Sequence, residues 1–188
     1  MANYGYRRRY RENVPLQRIC KLVADVIMAV CAAYMIMSLF CVRTHIIGNS
    51  MNDTLENGQT VLINRLTHAF FSPSRYSVIA FEASGVNSSR VFVKRVIGLP
   101  GETVQIKDGR VYINDRVLED DVVTTDILTA GLVSDPVTLG DDEYFVLGDN
   151  RNNSEDSRFS NIAMVKEENI IGNVWLVVSP IKSLKLVR

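Results

Sequence analysis

Residues 22–42, LVADVIMAVCAAYMIMSLFCV, form an apolar run of 21 residues interrupted by a single charge, Asp25. A helix of that length rises about 31 Å at about 1.5 Å per residue, which matches the hydrocarbon core of a bilayer. No Pro, Gly, Lys or Arg breaks the run, and six cations (Arg7, Arg8, Arg9, Arg11, Arg18, Lys21) precede it against one acid, Glu12. Cations concentrate on the cytoplasmic side of such spans. The expected organisation is therefore a cytoplasmic basic segment at 1–21, a single transmembrane signal-anchor helix at 22–42, and an extracytoplasmic domain at 43–188. The run exceeds a removable leader's apolar stretch, and the bulky FCVRTHII at 40–47 offers no small-x-small cleavage site.

This split changes the meaning of the overall charge. Lys+Arg 21 and Asp+Glu 21 cancel over 188 residues. Yet the first segment carries +5 and residues 43–188 carry −4. A sequence pI near 6.7 excludes a nucleic-acid binder held by a basic surface. The three cysteines, Cys20, Cys31 and Cys41, all lie in or beside the apolar run. The outer domain therefore has no disulfide framework, no Cys-ligated metal and no thiol nucleophile.

Beyond the span, strand signals dominate. TVLINRL (60–66), YSVIAFE (76–82), RVFVKRVIGL (90–99), TVQIKDGRVYINDRVL (103–118), EYFVLG (143–148) and IIGNVWLVVSPI (170–181) are rich in β-branched and aromatic residues. Asp108-Gly109 is a two-residue hairpin signal, and Asn114-Asp115 repeats it more weakly. One short helix is expected at MVKEEN (164–169). The expected fold class is mostly β: one transmembrane helix, then an antiparallel β-sheet domain with a small hairpin-rich insertion at about 103–142.

Conventional catalytic signatures are scarce. His45 and His68 have no metal-ligand spacing to anything, and no G-x-S-x-G elbow occurs. Ser179-Pro180-Ile181-Lys182 is an isolated S-x-x-K that reads as a strand end. Lys94 is the physical oddity, because it continues the apolar Val91-Phe92-Val93. A lysine drawn into apolar surroundings loses solvation, its pKa falls, and the neutral amine can act as a general base.

Three segments punctuate these runs with polar residues and glycines: GNSMNDTL from Gly48, VKRVIGLPGE from Val93, and LGDNRNNSEDSR from Leu147. Together they resemble the signature boxes of type I signal peptidases, S-M-x-P-T-L, K-R-V-I-G-L-P-G-D and G-D-N-R-x-N-S-x-D-S-R. The resemblance covers most of residues 20–180 and implies the signal-peptidase-like fold.

It also implies a membrane-bound serine endopeptidase that cleaves N-terminal signal peptides from exported preproteins. Ser50 would be the nucleophile and Lys94 the general base. Ser154 would orient the lysine, while Asp149, Asp156 and Arg158 would hold their loop against the site. In some relatives a hydroxyl two residues before the nucleophile helps hold the oxyanion; here Gly48 leaves only its backbone for that task. The implied partners are secretory preproteins with small residues at −1 and −3, bound by strand addition along pockets lined by Ile47, Met51, Leu55, Phe92 and Val93, and the lipid bilayer. A monomer is expected, with no nucleic acid, cofactor or metal.

The sequence departs from the boxes at several points. Asp53 stands where the family has Pro, which removes a fixed φ from the nucleophile loop. A carboxylate there would favour protonated Lys94 if it pointed inward. Glu102 replaces Asp, Gln59 and Ser77 stand where relatives often carry Asp, and Asn161 replaces a usual Gly. These changes motivate the alternative of a catalytically weak or non-catalytic relative acting as an assembly factor for surface structures such as pili.

Overall fold

A computed structural model describes residues 14–83, 90–119 and 121–187. Residues 1–13 of the expected basic segment lie outside the described ones. The chain divides into two compact units, one up to Leu39 and one from Phe40 onward.

The first unit is a helix, α1 (Val14–Phe40), of 27 residues. Apolar side chains on all its sides are exposed, including Leu22, Val26, Ile27, Met28, Val30 and Tyr34. Among the described residues no helix is long and apolar enough to cross a membrane. The side chains at 36, 37 and 39, inside the expected span, lie outside the described set. Helix also ends two residues before the expected limit of 42, because Cys41 and Val42 pair with Asn64 and Ile63 as the start of a strand.

The second unit is built from antiparallel strands. Its larger sheet has eight strands among the described residues. Seven follow one another in the order β1 (Cys41–His45), β2 (Thr60–Asn64), β11 (Ile170–Ser179), β3 (Val78–Glu82), β4 (Val91–Gly98), β9 (Glu143–Leu147) and β10 (Val165–Lys166). β12 (Lys185–Leu186) adds to β11. The smaller sheet, inserted between β4 and β9, has four strands in the order β7 (Arg116–Val117), β6 (Arg110–Ile113), β5 (Thr103–Lys107) and β8 (Val137–Thr138). Its turns use the expected residues: Asp108-Gly109 adopt φ +52° and +76°, and Asn114-Asp115 adopt +50° and +64°. Positive φ at both central positions matches the right-handed twist of the flanking strands.

Side-chain alternation sorts the core into layers. Val78 and Ala80 of β3 pack with Met51, Leu55, Val61 and Val174. Ile79 and Phe81 face the opposite layer with Val96, Tyr144 and Val146. Phe145 and Leu147 of β9 turn to a third layer, closed by Val104, Ile106 and Val111 of the small sheet.

Two local expectations are corrected. The helix expected at 164–169 is a short strand followed by a 3-10 turn, Glu167–Asn169, since Val165 and Lys166 pair with Tyr144 and Glu143. A helix expected nowhere, α2 (Arg65–Phe70), follows β2 instead of more strand. Asn64 starts it as an N-cap: its side chain accepts a hydrogen bond from Thr67 N at 3.1 Å, which satisfies a donor that the first helical turn leaves free.

Candidate active site

Residues 46–59 leave β1 and return to β2, and this excursion carries Ser50. Two backbone bonds pin its base, Ile46 N to Gln59 O at 2.8 Å and Gly58 N to Ile46 O at 2.9 Å. Within it Leu55 N donates to Met51 O at 2.7 Å, closing a helical turn that drives Met51 and Leu55 inward. Ser50, immediately before that turn, is left half-buried.

Lys94 comes from the middle of β4, paired opposite Ile79. Its Nζ lies 2.7 Å from Ser50 Oγ, across 44 residues of sequence. Lys94 is 3% exposed. Burial lowers its pKa from the ordinary 10.5 to about 8, against the opposing pull of Asp156, Glu155 and Asp149. Asp53 does not contribute to that pull. It is exposed and adopts φ +82°, a conformation closed to proline.

The neighbouring Arg95 is fully buried. It forks onto Asp149, with Nε 2.8 Å from Oδ1 and Nη2 2.7 Å from Oδ2. It also donates to Tyr76 O at 2.7 Å and to Thr54 Oγ1 at 3.1 Å. One guanidinium therefore joins β4, the Ser50 turn and the loop after β9. In that loop Asp156 receives Arg158 through Nε at 2.7 Å and Nη2 at 2.8 Å, and accepts from Gly148 N at 3.1 Å. Asn150 N donates to Ser50 O at 3.0 Å, and Asn150 Nδ2 to Asn49 O at 3.1 Å. Gly148 is where these pieces meet: a Cβ there would lie 2.1 Å from Ser154 Oγ and 2.5 Å from Ser50 O.

A groove of about 610 Å³ runs past Ser50 and Lys94, with Ile46, Ile47, Phe92 and Val93 in its walls. Among the described residues, no group of three or more His, Cys, Asp or Glu could hold a metal ion.

The family signature described as signal peptidase, peptidase S26, matches residues 19–179. The chain belongs to the signal peptidase family, peptidase S26. Its relatives include signal peptidase I S of Bacillus subtilis, 30% identical over 93% of this chain and 97% of that one. The probable signal peptidase I-2 of Synechocystis is 29% identical over 94% of this chain and 80% of its own length. A solved signal peptidase I from Enterococcus faecalis is 33% identical, covering 55% of this chain and 97% of its own, with a TM-score of 0.43. The protein is a serine endopeptidase that cleaves signal peptides from preproteins.

Several expected details differ in the peptidase. Met51 and Leu55 do not line the groove; at 1% and 0% exposure they are core, for the reason of the inward turn. Ile47, 86% exposed, and the half-buried Phe92 and Val93 do border it. Gly48, at φ +96°, gives its N–H to Asn57 Oδ1 at 3.0 Å, so that donor is engaged rather than offered to an oxyanion. Ser154 Oγ is buried without a hydrogen-bond partner among the described residues, so the expected bond to Lys94 is not formed in this conformation. Ser179 and Lys182 are both exposed. His45 is exposed beside Thr60, and the side chain of His68 lies outside the described set.

Reading the sequence missed Arg95, Asn57 and Asn150. A signal for Arg95 was present: two successive cations in an apolar strand point to opposite faces, and where both faces are buried each needs a partner.

Proposed function

We propose that the peptidase works through a Ser50–Lys94 dyad. The carrying observation is the 2.7 Å approach of Lys94 Nζ to Ser50 Oγ with the lysine buried. Neutral Lys94 takes the hydroxyl proton as Ser50 Oγ attacks the scissile carbonyl. It then gives that proton to the departing amine, leaving an acyl-enzyme. Water hydrolyses the ester with Lys94 again as base. Ser50 N–H, which donates to nothing within the described chain, supplies one oxyanion donor. Asp149, Asp156 and Arg158 act by holding the loop rather than by touching the substrate. Ser154, with its hydroxyl free, orients Lys94 once the substrate closes the site. Gly48 contributes by letting the substrate backbone come close.

The substrate lies extended along the groove between the residues before Ser50 and those before Lys94, with small side chains at −1 and −3 facing inward. Ile47, Phe92 and Val93 shape those pockets. Helix α1 is the membrane anchor, with the N-terminus cytoplasmic and the catalytic unit extracytoplasmic. The exposure of its described apolar side chains supports this reading. The peptidase acts as a monomer, without cofactor, metal or nucleic acid.

Ser50→Ala and Lys94→Ala should each abolish cleavage of a preprotein with an A-x-A site by full-length protein in detergent. Processing by purified Ser50→Ala at the wild-type rate would remove the dyad.

A further inference from the structure

The groove carries an acid that the proposed dyad does not use. Among the described residues bordering it, Glu155 is the single carboxylate; Arg90, His45 and Lys94 are the other ionisable ones. Glu155 and Asn153 also border an adjoining hollow of about 530 Å³, shared with Asn152, Phe159 and Asn161. The carboxylate thus stands on the ridge between the cavity that holds Ser50 and the next space along the surface.

Its position is held from both ends. On the chain side, its neighbour Asp156 is tied down through Gly148 N and Arg158. At the head, Asn161 Nδ2 donates to Glu155 Oε1. Asn161 is one of the positions where this sequence departs from the resembled pattern; a glycine there has no side chain to give. Glu155 Oε2 has no partner within the described chain.

We propose that Glu155 is a specificity-determining residue, its carboxylate selecting preproteins with a cationic side chain next to the cleaved bond. This rests on the dyad reading, which fixes where the bond is cut. In an extended substrate with −1 and −3 turned into the groove, successive side chains alternate. The adjoining hollow is then left for −2 or for the first residues after the cut. A lysine or arginine there pairs with Oε2, which accepts from no group among the described residues.

The carboxylate otherwise works against the enzyme. Asp149 and Asp156, which also oppose the lowered pKa of Lys94, are already paired with Arg95 and Arg158. Glu155 has no ion pair of its own among the described residues. A substrate cation that neutralises it therefore helps Lys94 lose its proton, which links recognition to the strength of the base.

The test uses full-length protein in detergent and A-x-A peptides carrying Lys, Ala or Glu in turn at −2, +1 and +2. For at least one position kcat/KM should favour Lys over Glu by about tenfold, less at high salt. In Glu155→Gln that ratio should fall to about twofold or less, and the acid limb of the pH–rate profile should move to lower pH. Asn161→Gly should narrow the ratio partway. Equal Lys/Glu ratios in wild type and Glu155→Gln would overturn the proposal, as would no discrimination by the wild type at any position. Ser50→Ala is run beside them: its turnover would sink the dyad reading, while the Lys/Glu ratio judges Glu155 separately.

Discussion

At the residue scale, Lys94 sets an opposition between activity and stability. With a pKa of about 8, roughly one lysine in ten is neutral at pH 7, so kcat/KM should climb about tenfold per pH unit and level off near pH 8. The same burial acts on stability with a definite sign. Below about pH 8 Lys94 is protonated in both states, and the folded state bears the full cost of the buried charge. Between about 8 and 10.5 the folded amine is neutral while the unfolded one still binds a proton, so stability rises with pH. The whole gain is about 3 kcal/mol at about 1.4 kcal/mol per pH unit. Lys94→Met should therefore be inactive yet more stable than wild type at pH 7, with the advantage shrinking as pH approaches 10.5. Urea denaturation at several pH values checks this; a lower midpoint for Lys94→Met at pH 7 would contradict the cost assigned to burial. Asp53 is the second informative residue. At φ +82° it cannot be replaced by the proline of the resembled box without moving the turn. Asp53→Pro should cost more than about 1 kcal/mol, while Asp53→Gly keeps the midpoint or raises it. Thermal melts of the two variants separate these outcomes.

Among the elements, the decisive contact is the one Arg95 makes between β4, the Ser50 turn and the loop after β9. Strand β4 delivers Lys94, and Thr54 of the Ser50 turn and Asp149 share the guanidinium of the next residue on that strand. The pair is buried on both sides, at 0% and 1% side-chain exposure. Removing one partner leaves an uncompensated charge, so Asp149→Ala should cost about 3–5 kcal/mol. It should also lower kcat through displacement of the Ser50 turn, whereas a variant that only lost stability would keep kcat at low temperature. Much of this was written in the residues. The Asp108-Gly109 and Asn114-Asp115 turns and the alternating strands of the small sheet follow local rules. Helix α2 and strand β10 did not, because an N-cap at Asn64 ended one strand early and pairing with β9 drew Val165 and Lys166 out of a helix.

At the scale of the whole molecule, α1 exposes apolar side chains all round, while the β unit has cores of its own. A helix of that kind is stable in water only when something apolar covers it. Membrane fractions should accordingly retain the protein through an alkaline carbonate wash and release it with detergent, as immunoblots of the two fractions would show. Release by carbonate alone would oppose the anchor.

The sequence by itself determined the class of fold, the placement of an apolar helix before a β domain, and the three boxes that carry Ser50, Lys94 and Ser154. These are properties of local pattern and of residue types in order. Only the tertiary structure decided that Met51 and Leu55 are core, that the Gly48 N–H is engaged by Asn57, and that Arg95 ties the site together. It also brought Glu155 and Asn161 together beside the groove. Each depends on which segments meet across the fold, and neither the order of residues nor their periodicity encodes a distance between strands far apart in the chain.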